Sequence, residues 1–201
     1  MRRSGWAGAG VAVGLLFVTG CGGGGGNGSA PAVDPALAKA VNKNCGHFLK
    51  PESVAAALGD NTFDGTLGKI QGDKGSCSIT VSVREAGRGT SGPRHSDVKL
   101  SLEILSWKDP ALVAQSVDEV CHNTSAVAVT EIFQGPKGAC SVWRAEPTEE
   151  FLVGGKLDVH GGEGTKRITI TVHGVDGTLK QDREHALQLL ADVRAEISRR
   201  A

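Results

Sequence analysis

Cys21 carries the clearest chemistry of the sequence. It follows residues 18–20 (Val-Thr-Gly) and an apolar stretch at 6–17, which begins shortly after Arg2 and Arg3. A positive start, a short apolar stretch and small residues before the cut are the parts of a secretory signal. A cysteine at the cut presents a thiol that accepts diacylglycerol. We therefore expect export, cleavage before Cys21 and acylation of its sulfur, a pattern typical of bacterial lipoproteins.

Residues 1–20 are predicted to form a signal peptide, and residues 21–33 a lipidated cysteine with a Gly-rich linker. The apolar stretch is shorter than the ~20 residues that span a bilayer core, and its glycines weaken it as a helix, which argues against a membrane-spanning helix. A secretory peptide cut elsewhere, with Cys21 left as an ordinary thiol, is the alternative. The glycine run at 22–26 has no side chains with which to bury a core, so it predicts a flexible tether.

The remaining cysteines are Cys45, Cys77, Cys121 and Cys140. An even number in an exported chain favours disulfides, and the absence of a C-x-x-C pair disfavours zinc. Three connectivities are open. We predict Cys45–Cys77 and Cys121–Cys140, because each bond joins the end of a predicted helix to a nearby predicted strand. In the chain-entropy treatment each bond contributes about 3–4 kcal/mol to stability.

Composition limits the class of partner. Without its first 20 residues the chain of 201 keeps 181, and the part from 34 to 201 suits a single domain. Loss of Arg2 and Arg3 reduces the 22 basic residues to 20 against 22 acidic ones, a net charge near −2. That charge argues against nucleic acid as a partner. The absence of Tyr and the scarcity of other aromatic residues disfavour an aromatic-lined groove.

Catalytic motifs are scarce. No G-x-S-x-G elbow, H-E-x-x-H pair or phosphate-binding P-loop occurs, and we expect neither enzyme activity nor a metal or cofactor. His160 and His173, at the ends of neighbouring predicted strands, form a weak candidate metal site with Glu163, but exposed strand ends are the preferred interpretation. A hydroxyl group near either histidine is the remaining hypothesis for a hydrolase.

Four predicted helices position these residues. Three begin with a proline at the first helical position, namely Pro35, Pro51 and Pro110. The fourth is predicted to begin at Thr178, where Gln181 completes a capping box. Its apolar residues recur every three or four positions, which indicates an amphipathic helix packed against another element.

Period-two alternation of apolar and polar residues predicts strands at 78–83, 98–104 and 168–172. Weaker strands are predicted at Val127–Phe133, Cys140–Ala145 and Leu157–His160, and the glycines at 161–164 are interpreted as a loop. The alternation indicates one buried and one wet sheet face. The sequence therefore predicts one extracytoplasmic α+β domain over 34–201, a mainly antiparallel sheet with helices on one face.

The segment Asn44–Gly59, NCGHFLKPESVAAALG, resembles the opening of an actinobacterial lipoprotein family catalogued as domain of unknown function 3558. That opening is approximately P-C-x-L-L-T-P-E-E-V-A-A-A-L-G, followed by a strand cysteine, here Cys77. Asn44, Phe48 and Lys50 depart from it, and Lys50 replaces a threonine that would cap the helix. The resemblance implies an envelope location and an α/β architecture, but no activity, because the family has none established. The layout is also similar to the Mog1/PsbP-like α/β sandwich.

Three functions stay open from the sequence. The favoured one is a non-catalytic binding or accessory module for an envelope protein, glycan or lipid, held by its lipid on the extracytoplasmic face of the cell membrane. The second is a carrier that holds a lipid in an internal cavity. The third is an envelope hydrolase with an unrecognised site. A tight core would favour the binding module, and a hollow core would favour the carrier. A polar cleft with a perturbed histidine would favour the hydrolase.

Overall fold

The computed structural model describes residues 33–59, 61–84, 94–122, 129–146, 154–173 and 179–201. The elements in chain order are α1 (Pro35–Asn44), α2 (Pro51–Leu58), β1 (Thr62–Gln71), β2 (Lys74–Arg84), β3 (Arg94–Ser106), α3 (Pro110–His122), β4 (Val129–Gln134), β5 (Cys140–Glu146), β6 (Gly154–Glu163), β7 (Lys166–His173) and α4 (Leu179–Arg200). A 3-10 turn at Pro136–Gly138 joins β4 to β5. The predicted signal peptide, Cys21, the linker up to residue 32 and Thr178 lie outside the described residues.

The seven strands form one antiparallel sheet in the order β1-β2-β3-β7-β6-β5-β4, with four helices packed on it, which confirms the α+β class. Strand register aligns apolar residues across the sheet, as where Leu102 stands opposite both Cys77 and Ile170. We call this side the inner face. It shares one continuous buried cluster with residues of α1, α2 and α4, among them Leu37, Val54, Leu189, Leu190 and Val193.

The position of α3 differs from the expected arrangement with all helices on one face. Gly161 and Gly162 are adjacent in β6 and therefore face opposite sides of the sheet. A Cβ atom built at Gly161 would lie 3.0 Å from Leu190 of α4, whereas one at Gly162 would lie 2.7 Å from Val113 of α3. Helix α3 therefore packs on the outer face, and a second cluster of Val117, Cys121, Cys140 and Val142 forms there.

Two further differences concern glycines. The loop predicted at 161–164 is wrong for Gly161 and Gly162, which lie within β6 because the missing Cβ atoms let a helix approach on each side. Strand β1 was not predicted, because Ile70 is its one buried residue and glycine occupies positions 65 and 68. It is an edge strand that β2 pairs along almost its whole length.

The helix starts agree with the sequence. Asp34 accepts a hydrogen bond from the backbone N–H of Ala36 at 2.7 Å, and Asp109 accepts one from Ala111 at 2.8 Å. Lys50 makes no capping hydrogen bond for α2. Asp192 of α4 approaches that helix start instead, since Lys50 Nζ lies 2.8 Å from its carboxylate. None of the described helices is long and apolar enough to span a membrane.

The sheet has two ends that matter for function. At the proximal end, where the described chain begins, Asp34, Thr62 and His185 line one cleft, which places the starts of α1, β1 and α4 together. The opposite, distal end carries the β1–β2 turn, the β6–β7 turn, the end of β3 and the start of α3. The distal end is therefore separated from the start of α1 by the length of the strands.

Candidate functional site

One disulfide joins a helix to each face of the sheet. Cys45, directly after α1, is bonded to Cys77 of β2 on the inner face, with Cα atoms 5.4 Å apart. Cys121 of α3 is bonded to Cys140 of β5 on the outer face, with Cα atoms 5.7 Å apart. This is the pairing expected from the sequence. All four residues are buried, so both bonds are shielded from solvent.

A polar cluster on the outer face is centred on Asp158 of β6, whose side chain is 5% exposed. Its Oδ1 accepts a 2.6 Å hydrogen bond from Thr171 Oγ1 of β7. Arg144 of β5 donates to Oδ2, and Lys156 Nζ lies 3.5 Å from Oδ1. A buried carboxylate is tolerated when its hydrogen bonds are satisfied and its charge is paired. The cluster therefore links three neighbouring strands and presents no unpaired carboxylate.

His160 lies two residues further along β6 on the same face and is almost fully buried. Its Nδ1 lies 3.4 Å from Thr169 Oγ1, and its Nε2 has no hydrogen-bond partner among the described residues. Burial lowers the pKa of His160 from 6.5 to about 4, with nearby cations acting in the same direction and Asp158 opposing them. The imidazole is therefore neutral at pH 7.

The Thr169–His160 contact lacks two properties of a catalytic nucleophile–base pair: a base with a suitable pKa and a third group that orients the base. A general base works best with a pKa near the operating pH, far above the value for His160. The base is also normally oriented by a third group, usually a carboxylate. Within the described ranges no carboxylate bonds to Nε2 of His160.

The weak candidate metal site is not assembled. His160 stands opposite Thr169 in the register, His173 opposite Lys156, and Glu163 opposite Lys166. The three side chains are therefore separated by three or more residues along the strands, roughly 10 Å or more. In the part of the chain that the structure describes, no group of three His, Cys, Asp or Glu side chains could hold a metal ion.

One motif spacing was missed in the sequence. Ser96 and Lys99 have the S-x-x-K spacing of certain acyl-transfer enzymes. Such a pair works on a helix, where residues three apart share a face. Here both residues lie in β3, where three residues extend over roughly 10 Å. The strand therefore does not provide the usual geometry of this motif.

A cleft of about 660 Å³ lies at the distal end, between α3 and the turn at 136–138. Pro110, Val113 and Val117 of α3 form one wall, and Lys137 and Gly138 stand on the other side. Gly162 and Gly164 of the β6–β7 hairpin also line it. Glycines at these places keep the cleft open because no side chains fill it.

A buried arginine of α4 forms hydrogen bonds to the turn that carries Lys137. Lys137 has a φ of 52°, in the left-handed region that non-glycine residues rarely adopt. Arg194 of α4 is 7% exposed and donates to the carbonyl oxygens of Gly162, Pro136 and Lys137 at 3.1, 3.2 and 3.2 Å. Burial lowers the pKa of the Arg194 guanidinium, against the influence of Glu163. The guanidinium therefore binds the turn to β6 and α4.

Three large apolar side chains are exposed in the segment that leads into α3, the helix that lines this cleft. Leu105, Trp107 and Leu112 are 39%, 37% and 44% exposed, and all three lie between the end of β3 and the first turn of α3. We call Leu105, Trp107, Lys108 and Leu112 the distal patch. Trp107 belongs to a residue type that is highly buried on average. Its backbone N–H donates to Thr165 O at 2.8 Å, which fixes the backbone beside the hairpin turn while its side chain remains partly exposed.

The burial of Arg194 is indicated by helical spacing in the sequence. Arg194 follows Leu190 by four residues and precedes Ile197 by three, so helical spacing places it on the buried face of α4. A charged residue in such a position needs buried hydrogen-bond acceptors. The exposure of the distal patch had no comparable signal, because exposed and buried leucines look alike in a sequence.

Comparisons of the chain with protein families, with curated proteins and with solved structures found no match.

Proposed function

We propose that the protein is a lipid-anchored lipoprotein of the cell envelope that works as a non-catalytic binding or accessory module on the extracytoplasmic side of the membrane. Its partner would be another envelope component. The resemblance of Asn44–Gly59 to domain of unknown function 3558 and the Mog1/PsbP-like layout are part of the same proposal.

Export and anchoring are supported from two directions. The sequence before Cys21 has the parts of a lipoprotein signal. The two buried disulfides are typical of proteins that fold outside the reducing cytoplasm. One acyl chain alone gives marginal membrane binding, whereas the two or more chains expected on a lipoprotein cysteine hold the protein stably.

The observation that carries the binding role is the position of the distal patch. The described chain begins at the proximal end, and the distal patch with its neighbouring cleft is at the other end of the strands. A tethered module with this layout holds its attachment and its exposed apolar side chains apart. Tryptophan is enriched among the residues that contribute most of the binding energy at protein interfaces.

The hydrolase alternative has one supporting observation, the Thr169–His160 contact. The low pKa of His160 and the missing partner at Nε2 make this contact a poor nucleophile and base. The carrier alternative requires a hollow between sheet and helices. In the described domain that space holds one continuous cluster of apolar side chains, many with no exposed surface, which favours a binding module over a carrier.

The test is purification of the intact lipoprotein from its own envelope, followed by mass spectrometry of the proteins and lipids that accompany it. The binding role predicts a stoichiometric envelope component that is recovered with the lipidated protein. Recovery of a single tightly held lipid, released only on unfolding, would favour the carrier instead. Turnover of ester substrates that is abolished in a His160→Gln variant would favour the hydrolase.

A further inference from the structure

We propose that protonation of His160 releases α3 from the outer face of the sheet by local unfolding, so that acid opens the distal cleft. The sheet and the helices of the inner face stay folded in this change. The device would regulate access to the cleft whether or not the binding role proposed above is correct.

Helix α3 lies over His160. It contacts β5, β6 and β7, and β6 is the middle strand of these three. Val113 packs against Gly162, which is two residues from His160 on the same face of β6. Further along the helix, Cys121 is bonded to Cys140, the residue opposite His160 in the register. Both attachments of α3 to the sheet are therefore next to the buried imidazole.

A neutral imidazole fits this place, but an imidazolium does not. An imidazolium has two N–H donors, and each of them needs an acceptor when it is buried. Nδ1 of His160 lies 3.4 Å from Thr169 Oγ1, which can accept one hydrogen bond. Among the described residues Nε2 has no partner, and the atom is buried. Protonation therefore leaves a buried charged donor without an acceptor for as long as α3 stays in place.

The charged groups beneath α3 also disfavour a positive imidazole. Cations act on it from each of the three strands: Arg144 of β5, Lys156 of β6 and Arg167 of β7. Asp158 acts in the opposite direction, but its carboxylate is already bonded to Arg144 and Thr171. Burial, reinforced by these cations, lowers the pKa of His160 to about 4 while the helix is in place.

The carboxylates of α3 and β3 do not compensate for these cations. Asp118 and Glu119 of α3 are exposed, and Asp118 Oδ1 lies 3.0 Å from His122 Nδ1. Glu103 of β3, opposite Thr169 in the register, is also exposed. The buried residues of α3 are Val113, Val117 and Cys121. The side of α3 that meets the imidazole is therefore apolar and offers no counter-ion.

Two attachments confine the opening to the helix. The backbone N–H of Trp107 donates to Thr165 O at 2.8 Å before the helix begins, and the disulfide of Cys121 holds its last turn. Between these points α3 forms one wall of the distal cleft of about 660 Å³. Unfolding of this wall opens the cleft to solvent, whereas the inner core keeps its packing.

Amide hydrogen exchange of the full-length protein at pH 7 and pH 5 tests the release. Because the pKa of His160 is about 4 with α3 in place and returns to about 6.5 without it, opening should become about twentyfold more frequent at pH 5. After correction for the intrinsic exchange rate, the amides of residues 113–120 should exchange faster by this factor. Low concentrations of urea should accelerate them much less than the amides of β3 and β7, because local opening exposes little surface.

Two variants identify the group that takes up the proton. His160→Gln keeps a polar side chain without a basic group, so the exchange of α3 should change less than about threefold between the two pH values. The matched control is His185→Gln, which removes a histidine of α4 on the other face of the sheet and should keep the twentyfold change. Circular dichroism checks that each variant is folded.

The pH profile of the unaltered protein decides the matter if His160→Gln does not fold. The acceleration of α3 should begin near pH 6.5 and level off near pH 4, the two pKa values of His160. The release would be overturned by equal exchange of α3 at pH 7 and pH 5, or by the same rate and urea dependence in α3 and β7. It would also be overturned by an unchanged acceleration in His160→Gln or by its loss in His185→Gln.

Discussion

Arg194 donates a hydrogen bond from its Nη2 atom to the backbone oxygen of Lys137, 3.2 Å away. A buried cation on α4 thereby holds an exposed cation in a left-handed turn at the rim of the distal cleft. Burial of the Arg194 guanidinium costs desolvation free energy. Its hydrogen bonds to three carbonyl groups offset that cost. The pair connects the core of the domain to the rim of the distal cleft.

Arg194→Ala should lower the free energy of unfolding by about 2–3 kcal/mol, because three hydrogen bonds and the packing of a long side chain are lost together. Urea denaturation followed by circular dichroism measures the change. Arg199→Ala is the control: its side chain is 69% exposed and pairs with Glu196, so a loss of less than about 1 kcal/mol is expected. Equal losses in the two variants would contradict the proposed clamp.

Lys137→Gly should be more stable than Lys137→Ala by about 1 kcal/mol, because glycine adopts the left-handed conformation without the steric cost that alanine carries. Both variants lack the ammonium group, so the comparison isolates the effect of the backbone conformation. Thermal unfolding of the two variants measures the difference in stability. Greater stability of the alanine variant would show that the turn is not left-handed at this residue.

Local sequence signals predicted the helices of this fold well. Proline at the first helical position marks the starts of α1, α2 and α3, and the glycine after α2 marks its end. Strand β1 has no such signal, because its structure depends on pairing with β2. The side of the sheet chosen by α3 is likewise a tertiary property. The packing of α3 on the outer face is reflected in β5, where the consecutive residues 140–142 are buried on both faces of the sheet.

The candidate site was less predictable than the fold. The disulfide pairing followed from helix and strand positions, but the partners of His160 depended on strand register, which places Thr169 opposite it and His173 opposite Lys156. A shift by one residue would turn the side chain to the other face. The exposure of Trp107 depended on how α3 follows β3, which sequence periodicity does not encode.

Loss of the outer-face disulfide should affect α3 selectively. Cys121→Ser with Cys140→Ser should lower stability by about 3 kcal/mol, from the loop of 19 residues that the bond closes. Hydrogen exchange of the α3 amides should accelerate more than that of α1. Cys45→Ser with Cys77→Ser, which opens a loop of 32 residues, is the comparison and should instead accelerate exchange in α1. Uniform acceleration in both variants would contradict separate roles for the two bonds.

His160 should make stability depend on pH between about 6.5 and 4. Burial lowers its pKa to about 4, so in this window the unfolded chain takes up a proton that the folded chain does not bind. Stability therefore falls as the pH falls, by up to about 3 kcal/mol at pH 4. Denaturant unfolding at pH 7, 6 and 5 measures the slope.

His160→Gln should flatten this slope, because the variant lacks the buried imidazole. An unchanged slope in the His160→Gln variant would mean that another group titrates in this window.

The most direct test of the central claim is the mass of the N-terminal peptide of the protein extracted from its own membranes. Lipid anchoring predicts a peptide that begins at Cys21 and carries diacylglycerol on its sulfur, and predicts that Cys21→Ala leaves the membrane fraction. A peptide that retains Met1, or a mature peptide with an unmodified Cys21 thiol in the soluble fraction, would contradict it.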